Sequence, residues 1–130
     1  MILVDTSVWI DFLDGTNNQQ TDYLSTSLES EIPIFYTGII LQEILQGFNN
    51  KRQQAFIKSE FSKLLLVTPT IDDHIKASDI FTTCRNKGLT IRKSIDCLIS
   101  ALSIHYNLTL LDRDKDFAHV TKCFPLNRVF

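Results

Sequence analysis

Four short apolar runs punctuate this 130-residue chain, at Ile2-Leu3-Val4, Ile34-Phe35-Tyr36, Leu64 to Val67 and Leu108 to Leu111. Such near-continuous apolar runs, interrupted only by Thr109, read as strands buried on both faces, the habit of parallel sheets. The stretches between them carry apolar residues three or four apart, as a helix with one buried face requires. Val8, Trp9, Phe12 and Leu13 follow the first run and stop at Gly15, and Tyr23, Leu24 and Leu28 suggest a second helix. Gly38 opens a third, with Ile40, Leu41, Ile44, Leu45 and Phe48 as its stripe and Glu43 at the stripe's margin. Residues 51 to 62 bring Phe56, Ile57 and Phe61 to one side. From Ile71 to Lys87 the apolar positions are Ile71, Ile75, Ala77, Ile80 and Phe81, ended by Gly88. Ser94 is a candidate cap for a last long helix whose face is Ile95, Leu98, Ile99, Leu102 and Tyr106. This alternation predicts an α/β chain with a mainly parallel, helix-flanked sheet rather than a helical bundle or a β-sandwich.

The chain is 44% hydrophobic, long enough for a core of its own, and shows no repeat, linker or low-complexity tract, so one domain over residues 1–130 is expected. Met1 to Asp5 offers no basic leader, and no apolar run approaches the roughly 18 residues of a membrane span. A soluble, cytoplasmic protein without a membrane partner is the expectation. Cys84, Cys97 and Cys123 are odd in number and widely spaced, which favours reduced thiols over a disulfide framework or a thiolate zinc site. A net charge of −2 gives no general attraction to polyanions, so binding to nucleic acid would need local basic patches and neutralisation of the acids.

Those acids fall where ligands of open α/β sheets bind, beyond strand ends. Asp5 directly follows the first apolar run, and Asp112, Asp114 and Asp116 directly follow the last; Glu43 and Asp96 belong to helices between. Each has a local explanation. Asp5, Thr6 or Ser7 can cap a helix, Glu43 can be a solvated residue, Asp96 suits a helix start, and Asp112 can cap the helix after the last strand. Three acids in five residues exceed what capping needs, and repulsion among gathered carboxylates is relieved most simply by a hard divalent cation. Oxygen donors alone point to Mg2+, with Mn2+ as a substitute, rather than to zinc. His74, His105 and His119 read as ordinary partly exposed histidines.

Ile2 to Asp11, Leu41-Gln42-Glu43-Ile44-Leu45, Ser94 to Ala101 and Leu111 to Phe117, taken in order and spacing, resemble the PIN-domain ribonucleases, especially the toxin half of VapBC-type toxin-antitoxin pairs. The resemblance covers essentially the whole chain. It implies a PIN-like three-layer α/β/α sandwich and a catalytic set of Asp5, Glu43, Asp96 and Asp114. Asp5, Asp96 and Asp114 would ligate metal, with Asp116 as alternate or outer ligand; Asp112 stands where Thr or Ser is common in the family. The family also implies endonucleolytic cleavage of RNA, often transfer or ribosomal RNA. A homodimer, higher toxin-antitoxin assembly and inhibition by a VapB-type antitoxin are implied as well.

The chemistry expected is hydrolysis of a phosphodiester by water activated at one or two Mg2+ ions. Thr6 and Ser7 would orient substrate or water, and Arg92, with Arg85, Lys87 and Lys93, would form a basic margin for the RNA backbone. Two other readings compete. A haloacid-dehalogenase-like phosphatase also uses a strand-end Asp with Mg2+, but it wants a second Asp two residues on, where Ser7 stands. A metal-stabilised module that binds RNA or protein without cutting would share the acids and lack the activity.

Overall fold

A computed structural model describes all 130 residues. It divides into two compact units, Met1–Thr68 and Pro69–Phe130. No helix is long and apolar enough to cross a membrane.

The first unit runs β1 (Ile2–Val4), α1 (Thr6–Asp14), α2 (Gln19–Glu29), β2 (Ile34–Tyr36), α3 (Gly38–Gln46), α4 (Lys51–Phe61) and β3 (Leu65–Leu66). β2 lies between β1 and β3 and pairs parallel with both, in the registers Ile2↔Ile34 and Phe35↔Leu65. Parallel neighbours need crossover connections, and the helix pairs α1–α2 and α3–α4 supply them. β1 is wholly buried, as an unbroken Ile-Leu-Val run in a parallel sheet must be. Leu3, Val4, Val8, Leu24, Ile40 and Ile44 are fully sequestered around it. Gly15, at φ 77°, takes the left-handed conformation that closes α1, and the Asn18 side chain caps α2 through the Thr21 N–H.

Two expectations change here. The strand after α4 exists, paired with β2, but its Leu65 and Leu66 are about half exposed rather than buried. Phe56 is 57% exposed while its supposed companions Ile57 and Phe61 are buried; Phe61 packs on Trp9 and Tyr36, with ring centroids 4.8 and 5.1 Å away.

The second unit runs α5 (Ile71–Asn86), α6 (Ser94–His105), β4 (Thr109–Leu111) and α7 (Lys115–Thr121). A parallel bridge joins Leu110 to Arg128. Its core is Ile80, Cys84, Ile99, Leu102, Leu110, Leu111, Phe117 and Val120.

α5 buries only part of the face that its apolar residues suggest, with Ala77 and Ile80 inside as expected. Ile71 and Ile75 are 75% and 62% exposed, and the buried line is Asp73, Ala77, Ile80 and Cys84. Spacings of four, three and four trace one side of a helix, so the period was legible but its phase was not. Phase was lost because the line contains an acid. Asp73 is tolerated inside since it accepts bonds from the Thr70 N–H (2.8 Å) and hydroxyl (3.1 Å) and lies 2.7 Å from His105 Nδ1.

Candidate active site

In the first unit the turn from β1 into α1 gathers two acids and two hydroxyls. Asp5 is extended at φ −70°, ψ 154° and serves as the N-cap of α1, 9% exposed. The Ser7 hydroxyl donates to its Oδ2 at 2.7 Å, with the Ser7 N–H farther off at 3.4 Å. From the next residue, the Thr6 hydroxyl donates to Glu43 Oε1 at 2.8 Å, linking α1 to the half-buried acid of α3. Thr6 and Ser7 therefore orient the carboxylates of Glu43 and Asp5.

In the second unit, Asp96, Asp114 and Asp116 offer carboxylate oxygens that all lie within 4.8 Å of one another. α6 brings Asp96 in its first turn, where a negative charge suits the helix macrodipole. Lys93 precedes the helix without a side-chain cap bond, so Ser94 is its first residue and not the cap expected from sequence. Asp114 caps α7, accepting the Asp116 N–H at 2.9 Å, and Asp116 stands in the first turn, 1% exposed. Asp112, the expected cap, lies elsewhere. Its Oδ1 and Oδ2 accept from Arg128 Nη2 and Nε at 2.6 and 2.9 Å, and it is buried.

Arg92 lies on the acids. Its Nη2 donates to Asp114 Oδ1 and its Nε to Asp116 Oδ2, both at 3.0 Å, and its backbone N–H donates to the same Asp116 oxygen at 3.1 Å. Burial by itself raises the Asp116 carboxyl, but these bonds and the guanidinium charge outweigh it and hold the acid below its ordinary value. Asp112 goes the other way: burial pushes it up more than Arg128 pulls it down. Arg85, Lys87 and Lys93 are exposed.

Three carboxylates with no nitrogen or sulfur donor among them fit a hard cation that takes oxygen ligands, as Mg2+ and Mn2+ do. Asp96, Asp114 and Asp116 are thus brought together in one unit, and Asp5, Thr6, Ser7 and Glu43 in the other. Four pairings escaped sequence reasoning: Arg128 with Asp112, His105 with Asp73, Thr6 with Glu43, and Arg92, expected at the RNA backbone, with Asp114 and Asp116. Partners 16 to 37 residues apart leave no periodic trace. The only sequence hint was an excess of acids beyond capping after the last strand.

The family model described as PIN domain matches residues 2–122. Ribonuclease VapC11 of Mycobacterium tuberculosis is 31% identical over 121 residues, covering 90% of this chain and 89% of that one. Among solved structures, FitAB bound to an IR36 DNA fragment superposes with TM-score 0.79 at 19% identity, covering 98% of this chain and 93% of the other. VapBC2 from Rickettsia felis, bound to a DNA fragment from their promoter, gives 0.76 at 20%, covering 98% and 97%. At such identities the two superpositions establish the fold.

Proposed function

Since the chain belongs to the PIN-domain family, in its VapC group, we propose that it is an endoribonuclease and the toxin of a type II toxin-antitoxin pair, hydrolysing RNA phosphodiesters with Mg2+ or Mn2+. The observation that carries the reading is the all-carboxylate group Asp96, Asp114 and Asp116. Its RNA targets would be of the transfer or ribosomal class. A VapB-type antitoxin, a homodimer or larger toxin-antitoxin assembly, a cytoplasmic setting and a single PIN domain over residues 1–130 complete the proposal.

Asp96, Asp114 and Asp116 would hold the cation, and the family pattern adds Asp5 as a ligand and Glu43 to the catalytic set. A divalent cation in such a site supplies a Lewis acid for phosphoryl oxygens and makes water a nucleophile near neutral pH. The chain's own residues do the positioning. Ser7 and Thr6 donate to Asp5 Oδ2 and Glu43 Oε1 and so orient the two carboxylates. The Arg92 backbone N–H and guanidinium outweigh burial and hold the Asp116 carboxyl below its ordinary value, which favours the carboxylate form. Exposed Arg85, Lys87 and Lys93 offer cations to an RNA backbone.

The test is incubation of the purified full chain, freed of any partner, with total RNA and either Mg2+ or EDTA, followed by mapping of the cut ends. Internal cuts that need Mg2+ support the reading. Their absence, or release of phosphate from small monoesters instead, sinks it.

A further inference from the structure

The three clustered acids already face a cation, and it belongs to the chain. Arg92 spans two of them, with Nη2 on Asp114 and Nε on Asp116, both at 3.0 Å. Its side chain is 58% exposed, whereas those of Asp114 and Asp116 are 22% and 2% exposed. The guanidinium is therefore the outer member of the group, free to leave toward solvent on a flexible stem.

The bonds that would remain after it left are equally informative. Asp114 Oδ1 also accepts the Asp116 N–H at 2.9 Å, and Asp116 Oδ2 also accepts the Arg92 backbone N–H at 3.1 Å. Both carboxylates stay oriented by main-chain donors with the guanidinium gone. Its role at the acids is charge compensation more than alignment. A divalent cation drawn to this group competes for the same negative charge, and one cation must yield to the other.

Resting on the reading that these acids form a metal centre, we propose that Arg92 is an internal counter-cation: it occupies Asp114 and Asp116 in the metal-free chain and is displaced when a divalent cation binds. Its displacement lowers the apparent metal affinity and keeps the metal-free acids from repelling one another. The Arg92 backbone stays beside the acids through its N–H bond to Asp116, so the released guanidinium remains within the reach of its side chain.

Titration of the full chain with Mn2+, reading free Mn2+ by electron paramagnetic resonance, tests this on the native sequence, Arg92→Gln and Arg92→Lys. Arg92→Gln should bind Mn2+ on the order of threefold to tenfold more tightly, the scale of two partly exposed ion pairs. Arg92→Lys should fall between, because a single ammonium cannot fork to both acids. Melting of the same proteins gives a second readout. Without metal Arg92→Gln should melt below the native chain, and saturating Mn2+ should close the gap. A folded Arg92→Gln that binds Mn2+ no more tightly, or a melting gap unchanged by Mn2+, overturns the proposal and leaves the metal centre standing. Failure of every chain to bind Mn2+ overturns the metal centre itself.

Discussion

Arg128 grips Asp112 with a forked pair of bonds, Nη2 to Oδ1 at 2.6 Å and Nε to Oδ2 at 2.9 Å, and so removes from the acidic run the one carboxylate that neither caps α7 nor joins the cluster. The Asp112 side chain is 1% exposed and that of Arg128 19%. The same Arg128 bridges to Leu110 of β4, so the ion pair fastens the end of the chain beside the strand.

Removing one partner of such a pair leaves a buried charge uncompensated. Arg128→Ala should cost roughly 3 to 5 kcal/mol in chemical unfolding at neutral pH. The loss should shrink in acid. A folded-state pKa already above 3.8 means that the Asp112 contribution turns less unfavourable as pH falls through that raised value, and without Arg128 it rises further. A deficit independent of pH from 7 down to 4 would show that Asp112 is not the cause.

The buried acid of α5 has the opposite sign. Desolvation raises Asp73, but the Thr70 N–H and hydroxyl and His105 together outweigh it and depress its pKa below 3.8. A depressed carboxyl contributes stability that is present above its unfolded pKa and is lost as pH falls through the folded one. Asp73→Asn should therefore melt below the native chain at pH 7, by an amount on the order of 1 to 2 kcal/mol. The two curves should converge only below pH 3.8. Equal melting at pH 7 would dismiss the pair as inconsequential.

Thr6 links the hydroxyl of α1 to the acid of α3. If Glu43 belongs to the catalytic set, Thr6→Val frees its Oε1 and should lower Mg2+-dependent RNA cleavage by roughly tenfold to a hundredfold. Thr6→Ser, which keeps the donor, should recover most of it. Loss of cleavage in both variants would assign the defect to packing.

Asp96→Asn removes one charge from the cluster with little change of shape. Cleavage should fall by about a hundredfold or more, the scale of losing one preorganised electrostatic group. Circular dichroism should remain that of the native chain. Unaltered cleavage would move the chemistry away from this group of acids.

Much of this molecule can be read along the chain. Short apolar runs, broken only by Thr109 in β4, mark β1, β2 and β4, and 3.6-residue periodicity marks the helices between them, because both signals are local consequences of backbone geometry. Gly15 and Gly88, both at positive φ, end helices where the sequence places them. The acids beside strand ends, and the ordered segments around Asp5, Glu43, Asp96 and Asp114, carry the family by themselves. Tertiary structure decided the rest. It turned α5 so that Asp73 faces inward and Ile71 and Ile75 outward, made Asp114 and not Asp112 the cap of α7, and set Arg92 on two of the three clustered acids. Each of these depends on a partner that is distant in sequence, His105 for Asp73, Arg128 for Asp112 and Asp116 for Arg92. The cost of burying a charge is set by whether that partner arrives, which periodicity and capping rules, reaching only a turn or two along the chain, do not encode.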